Sequence, residues 1–361
     1  MKIFSACTDE ITPGILMAAE ALRAGLLAAF PTETVYGLGV DCFNPMALAR
    51  VFEVKGRPRF DPLIVHIAET AALDTVADAM LLDGEGRRCL ELLVRRFWPG
   101  PLTLVLPKRA AVPDLATSGL PTVAVRVPAH PAARNLIRLS TGAVAAPSAN
   151  PFGRLSPTRA EHVRDQLGDK VDYILDGGPC VVGVESTVLD LCTGEPRILR
   201  PGGVSREELE AVIGAVSGAG DGGNNAVHPR SPGQLKSHYA PRTPLSVHTR
   251  DEMIALPWDA REARLFFDAA SRDVWLRAFS PMTSGPLTGR SPVSEGRTLV
   301  LSEGGNLAEA AARLFELLHT LDGLGASRIR AELVPDRGLG PAINDRLVRA
   351  SCPSFSNTGT L

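Results

Sequence analysis

A two-domain α/β architecture is predicted for this 361-residue chain by three observations. In the N-terminal part, strand-like apolar runs outnumber helical segments and several are adjacent, which favours a mixed sheet over a strict βαβ repeat. Residues 217–244, rich in Gly, Pro, Asn and Ser and nearly devoid of aliphatics, interrupt the pattern as a linker would. Beyond them, short strands alternate with strongly periodic helix, the signature of a smaller, Rossmann-like α/β layer. The expected boundaries are therefore 1–216, 217–244 and 245–361.

Thr12-Pro13 reads as an N-cap followed by proline at the first helical position, and Gly25 closes that helix. "LLAAFP" (26–31) is a short buried strand, and "TETVYGLG" is the turn-rich stretch leaving it. Asn44-Pro45 opens a second helix, with Leu48, Val51 and Phe52 on its apolar face, which runs out at Lys55-Gly56. "PLIVHI" (62–67) is a strand, followed by two helical segments. "LTLVLP" (102–107), "TVAVRVP" (122–128) and "GAVAAPSAN" (142–150) are further strands, the last ending in a polar turn. Thr158 with Glu161, and Ser205 with Glu208, match the capping box that starts a helix. "DYILDGG", "ESTVLDL" and "PRILRPG" lie between them as strands. In the C-terminal part "ARLFFD", "TLVLSE" and "RIRAEL" alternate with a helix carrying Leu307, Ala311, Leu314, Phe315, Leu318 and Leu321 on one face, and a last helix follows near "PAINDRLVRA".

Composition excludes several classes. Net charge is −2, so no basic surplus advertises nucleic acid as the main partner, although net charge averages over the surface and leaves room for a local basic pocket. The six cysteines are far apart with no C-x-x-C pair, which argues against a zinc site or a disulfide framework and suits a reducing compartment. No apolar run approaches the ~20 residues of a membrane span and no signal-peptide pattern is visible, so a cytoplasmic protein is expected. The spaced glycines Gly218, Gly220 and Gly223 fit G-x-G-x-x-G but follow a helix and precede a proline-rich segment, the wrong context for a dinucleotide site. Walker, H-E-x-x-H and G-x-S-x-G motifs are absent from the sequence.

The chemistry-bearing stretch is "VFEVKGRPRFDPLIVHI" (51–67). Lys55, Arg57, Arg59 and His66 crowd a turn between a helix and a strand, with only Glu53 and Asp61 to offset them. Only five of the 38 basic residues are lysines, so Lys55 and Lys236 suggest a task for a compact ammonium. Pro58 and Pro62 stiffen the turn. A second turn, "APSANPFGRLSPT", offers Ser148, Asn150, Ser156 and Thr158, so Lys-x-Arg is either a solvated helix end meeting the negative pole of the helix dipole or, with this second turn, one side of an expected polyphosphate cradle. Thr32, Thr34 and Tyr36 are either strand-edge polar residues or ligand contacts, and the same alternative holds for Ser186-Thr187. Arg126, a guanidinium among alternating valines, should meet an anion, with a carboxylate ligand expected.

In order and spacing, "FPTETVYGLG", "KGRPRFDPLIVHI", "VAVRVPAHP", "APSANPFGRLSPT", "ESTV", "ILRPG", "SPGQLKSHYAP" and "GLGPAINDRLVRA" resemble the YrdC/Sua5 family of threonylcarbamoyl-AMP synthases, in its longer two-domain form. The resemblance implies a concave catalytic domain with a twisted mixed sheet, a linker across the active-site mouth, and a Rossmann-like C-terminal domain. It implies a nucleotidyltransferase reaction in which L-threonine, bicarbonate and ATP, with Mg²⁺ carried by the nucleotide rather than by protein side chains, give threonylcarbamoyl-AMP and pyrophosphate. The product would pass to separate transferase partners that form t6A at position 37 of ANN-decoding tRNAs. Lys55, Arg57, Ser148 and Asn150 carry the family's K-x-R and S-x-N signature and are the implied catalytic set. Threonine would be met by Thr34, His66, Arg126, the Ala146 backbone and Ser186, and ATP by Arg57, Asp61, Thr122, Ser148, Ser156, Arg200 and the linker's Tyr239, with the linker acting as a lid. Asp61 departs from the asparagine frequent in the family, and its carboxylate would repel a triphosphate unless Mg²⁺ or Arg59 intervened. A double-stranded RNA or tRNA binder using the same basic concavity is the rival from another class. The carbamoyl-transfer enzymes of hydrogenase maturation share the N-terminal fold but carry acylphosphatase and zinc-finger segments, which this chain lacks.

Overall fold

A computed structural model describes residues 1–6, 10–218, 233, 237–279 and 296–352. The chain divides into two compact units, Met1–Phe152 with Ser156–Leu235 and Gly153–Leu155 with Lys236–Leu361. Most of the glycine-rich stretch, including Lys236, lies outside the described residues, and so does the lid expected there.

In the first unit the strands are β1 (Lys2–Ser5), β2 (Ala28–Phe30), β3 (Gly37–Asp41), β4 (Ile64–Ile67), β5 (Leu102–Pro107), β6 (Thr122–Arg126), β7 (Ala143–Ala145), β8 (Tyr173–Asp176), β9 (Thr187–Asp190) and β10 (Arg197–Arg200). The helices are α1 (Pro13–Arg23), α2 (Pro45–Lys55), α3 (Gly84–Phe97), α4 (Asp114–Thr117), α5 (Pro131–Leu139), α6 (Ala160–Leu167) and α7 (Arg206–Ile213). The strands form one mixed sheet in the order β1-β8-β2-β3-β7-β4-β6-β5-β9-β10. Parallel pairs such as β4–β6 and β5–β9 alternate with antiparallel ones such as β5–β6 and β4–β7.

Local sequence explains most of these elements. The Thr12 hydroxyl caps α1 by accepting from the Ile15 N–H, and the Asn44 side chain caps α2. Ser205 and Glu208 form the reciprocal capping box at α7. Two expectations are corrected. The box expected at Thr158 and Glu161 does not form: the N-cap of α6 is Arg159, which makes no side-chain cap. Thr158 cannot serve, because its carbonyl accepts from the Cys180 N–H at 3.0 Å rather than starting the helical ladder. The last three residues of the stretch read as turn, Gly37 to Gly39, belong to β3, where Gly37 and Gly39 let β3 lie tight against Phe30 and Val144.

One core gathers β2–β6, α2 and α3, and another sits beneath α1 and α5 around Phe30, Leu22 and Ile137. A third, small apolar group (Ile64, Val105, Ala124, Val188 and Leu199) draws one side chain from each of β4, β5, β6, β9 and β10. It lies on the sheet face that carries the candidate site.

The second unit holds β11 (Leu245–His248), α8 (Arg250–Ala255), β12 (Glu262–Asp268), α9 (Ala269–Phe279), β13 (Thr298–Ser302), α10 (Leu307–Asp322), β14 (Arg328–Glu332) and α11 (Gly340–Ser351). Its sheet is wholly parallel, in the order β11-β14-β12-β13, as a Rossmann-like layer requires. Met253, Phe266, Trp275 and Val300 form a core between α8, α9 and the sheet.

Candidate active site

Helix α2 ends where the chemistry begins. Gly56 takes a left-handed conformation (φ 61°), and the Arg57 N–H returns to the Phe52 carbonyl at 2.9 Å. This sharp stop sends both neighbouring cations inward, so that Lys55 and Arg57 are buried while Arg59 is exposed.

Lys55 reaches the second predicted turn. Its Nζ donates to the Ser148 carbonyl at 2.5 Å and to the Asn150 carbonyl, and its own carbonyl accepts from the Phe152 N–H at 2.8 Å. The two turns are therefore one structure. Burial, seconded by the Arg57 charge, holds the Lys55 amine well below its ordinary pKa, with Asp61 opposing.

Arg57 turns toward Asp61. Its Nε donates to the Asp61 carbonyl at 3.1 Å, its Nη2 to the Pro62 carbonyl at 2.9 Å, and Nη2 stands 2.9 Å from Asp61 Oδ2. Neither carboxylate oxygen of Asp61 makes a well-directed hydrogen bond, so the pair is held by charge more than by geometry. The counter-ion of Asp61 is thus Arg57, where the sequence alone leaves Mg²⁺ or Arg59 as the groups that could offset its charge. Burial raises the Asp61 pKa against the pull of Arg57, Lys55 and Arg200.

A second group lies on adjoining strands. The β4–β6 register sets His66 directly opposite Arg126, and β4–β7 sets His66 opposite Val144. The anion met by Arg126 within the protein is Glu33: Arg126 Nη2 donates to Glu33 Oε1 at 2.7 Å, while Nη1 donates to Thr34 Oγ1 at 3.0 Å. Among the described residues, Arg126 Nε is buried without a partner. His66 Nδ1 lies 3.2 Å from the Ile64 carbonyl, and the Phe30 ring meets the imidazole edge-on. Burial, then the Arg126 charge, push the His66 pKa well below its ordinary value, which keeps the ring neutral.

Hydroxyl polarity follows by counting protons. Thr32 Oγ1 donates to the Val35 carbonyl at 2.6 Å, which uses its single proton. In the 2.8 Å Thr32–Thr34 contact the donor is therefore Thr34. Thr34 also accepts from Arg126, so toward a ligand it can offer only a remaining lone pair.

The remaining predicted residues divide. Arg200 donates to the Ser186 carbonyl through Nε (3.2 Å) and Nη2 (2.9 Å) and to Ser186 Oγ at 3.1 Å; that hydroxyl lies 2.7 Å from Thr103 Oγ1. Ser156 Oγ donates to Glu185 Oε1 at 2.5 Å. The Ala146 N–H is committed to the Ile64 carbonyl at 2.9 Å. Thr122 opens β6 opposite Pro107, at the other end of the strand from Arg126 and about 13 Å along it. Tyr239 belongs to the second unit, where its buried ring packs on His238, Phe315 and the Arg346 guanidinium. Glu33, Glu185 and Thr103 were not singled out from the sequence. Glu33 and Glu185 sit inside motifs already quoted, but the hydroxyl of Thr103 reads as an ordinary strand residue.

The Sua5/YciO/YrdC family model, described as "Telomere recombination", matches residues 20–202, and a model for the "Threonylcarbamoyl-AMP synthase, C-terminal domain" matches residues 204–352. The chain is 41% identical over 347 residues to a threonylcarbamoyl-AMP synthase of Pyrococcus abyssi, covering 93% of this chain and 94% of that protein. It is 40% identical over 348 residues to the Bacillus subtilis enzyme of the same name, with 95% of each chain covered. Among solved structures, P. abyssi Sua5 complexed with L-threonine superposes with a TM-score of 0.79 at 37% identity, over 97% of this chain and 98% of that one.

Proposed function

The chain belongs to the Sua5/YciO/YrdC family, with the C-terminal domain of threonylcarbamoyl-AMP synthases, and from that premise we infer that it is an enzyme making threonylcarbamoyl-AMP from L-threonine and ATP. The observation that carries this reading is the buried group of Thr34, His66 and Arg126, gathered from three separate segments into one register-paired, hydrogen-bonded constellation. Among the described residues Arg126 Nε has no partner, and Thr34 keeps one lone pair. A carboxylate bearing a nearby hydroxyl is complementary to both.

In the proposed reaction bicarbonate or CO₂ supplies the carbamoyl carbon. The threonine amine, as free base, adds to CO₂, which bicarbonate yields by losing hydroxide: the N–C bond forms as one C=O π bond opens onto oxygen, an amine proton passes to that hydroxide or to solvent, and the product is a carbamate. A carbamate oxygen attacks the α-phosphorus of ATP, the bond to the bridging oxygen of the β-phosphate breaks, and pyrophosphate leaves, which makes the enzyme a nucleotidyltransferase. Mg²⁺, held by the nucleotide's phosphates and not by protein side chains, would shield the charge of the departing pyrophosphate. Both reactants are anionic, so the protein's task is to lower charge repulsion and align them rather than to provide one strong base. Arg126 and Thr34 orient the amino acid, with His66 and Ser186 beside it. Lys55, Arg57 and Arg200 set the positive field, while Ser148, Asn150, Ser156 and Thr122 supply fixed dipoles to the nucleotide. The product serves t6A synthesis through separate transferase proteins in the cytoplasm. Among the described residues, no helix is long and apolar enough to cross a membrane.

Incubation with Mg²⁺, ATP, bicarbonate and each amino acid in turn, read by mass spectrometry and pyrophosphate release, tests this. Threonylcarbamoyl-AMP formed only with threonine, or far more with threonine than with others, is expected. Nucleotide turnover indifferent to the amino acid would overturn it.

A further inference from the structure

Resting on that reading of the amino-acid site, we propose that Glu33 is the positioning residue of the reaction's carboxylate-binding arginine: it pins one end of the Arg126 guanidinium so that Nε, the nitrogen with no partner among the described residues, is presented to the substrate carboxylate.

Both side chains are buried, at 4% exposure for Arg126 and 7% for Glu33. Each carboxylate oxygen of Glu33 has its own task. Oε1 accepts from Arg126 Nη2 at 2.7 Å, and Oε2 accepts from the Ala129 N–H at 2.9 Å. Ala129 follows β6 by three residues, so Glu33 ties the guanidinium to the exit loop of the strand that bears it. Glu33 is itself anchored, because its main-chain carbonyl accepts from the Val182 N–H at 2.8 Å. Thr34 takes Nη1. With one N–H of each terminal nitrogen engaged, rotation of the guanidinium is blocked, and Nε is its one nitrogen without any partner among the described residues.

One consequence separates this from a merely structural ion pair. The substrate carboxylate meets a guanidinium of preset orientation, so its affinity depends on the angle at which the Nε–H is held. If Glu33 is lost, Arg126 is free to rotate, a change that acts on threonine and leaves the nucleotide contacts untouched.

The test is Glu33→Gln. An amide offers one acceptor and one donor, so whichever way it turns, its NH₂ faces either Arg126 or the Ala129 N–H. Wild-type and variant enzymes are assayed for pyrophosphate release with threonine and MgATP varied separately, and threonine binding is measured by calorimetry. KM for threonine should rise about tenfold and calorimetric affinity fall in parallel, the loss of one charge-assisted contact. KM for MgATP should stay within about twofold. In an Arg126→Met background Glu33→Gln should add no further loss, because the group it positions is gone. Unchanged threonine affinity, equal rises in both KM values, or a full additional loss on top of Arg126→Met would each overturn the proposal. Should Glu33→Gln not fold, Glu33→Asp, which keeps the charge but withdraws it by one methylene, carries the same expectation at about threefold. A wild-type enzyme that released no pyrophosphate with threonine would defeat the family reading instead, and the calorimetric comparison would still decide the role of Glu33.

Discussion

The Nζ of Lys55 donates to the main-chain carbonyl of Ser148 at 2.5 Å, joining residues 93 positions apart. This contact turns two polar turns into one wall of a site. It also defines what Lys55 can do: a compact amine fits between the Ser148 and Asn150 carbonyls, and a planar guanidinium does not. Lys55→Ala is expected to lower turnover at least about tenfold, because the field and the turn geometry are lost together. Lys55→Arg should not rescue it. Steady-state pyrophosphate release measures both, and wild-type turnover in either variant would remove Lys55 from the site.

Asp61 and Arg57 form a buried pair, so the Arg57 charge is partly cancelled before any phosphate arrives. Asp61→Asn removes the opposing charge while keeping the backbone carbonyl that holds Arg57 Nε. KM for MgATP should therefore fall about threefold to tenfold, with a loss of stability on the order of 3–5 kcal/mol from removing one member of a buried ion pair. A rise in KM for MgATP would mean that Asp61 acts by holding Arg57 in place.

His66 titrates in the folded protein well below its unfolded value of 6.5. Below pH 6.5 the unfolded chain binds a proton that the native chain resists, so native stability falls as pH drops through that value. Thermal unfolding from pH 7.5 to 5.5 should show this slope, and His66→Asn should flatten it. An identical slope in the variant would assign the acid sensitivity to another group.

Discrimination of threonine from serine rests on one methyl group, worth about 1–3 kcal/mol in a hydrophobic contact. A competition assay should yield serylcarbamoyl-AMP at roughly one part in ten to one part in two hundred of the threonine product. Exclusion beyond about a thousandfold would require a contact to the methyl group stronger than packing.

Helix α2 was legible from end to end because its signals are local: Asn44 accepts from the next N–H groups, and Gly56 adopts a backbone that other residues avoid. The capping box at Ser205 was legible for the same reason. Thr158 shows the limit, since an equally good local signal lost to one long-range bond from Cys180. Arg126 was recognisable as a residue needing an anion, because a guanidinium among valines is unstable alone. Its partner Glu33 was not recognisable, although it sits two positions before the first valine of a stretch already under suspicion. Nothing in the sequence measures the distance between positions 33 and 126.

The order of residue types along the chain determined where helices start and stop, which strands are apolar, that a glycine-rich break separates two α/β parts, and which turns hold cations and hydroxyls. These are short-range preferences, governed by backbone sterics and by hydrogen bonds within a few residues. Only the folded sheet decided who faces whom: His66 with Arg126, Lys55 with the Ser148 turn, Arg57 with Asp61, Glu33 with Arg126. Those pairings depend on strand register and on the desolvation of groups brought together from distant segments, and neither exists until the chain has closed on itself.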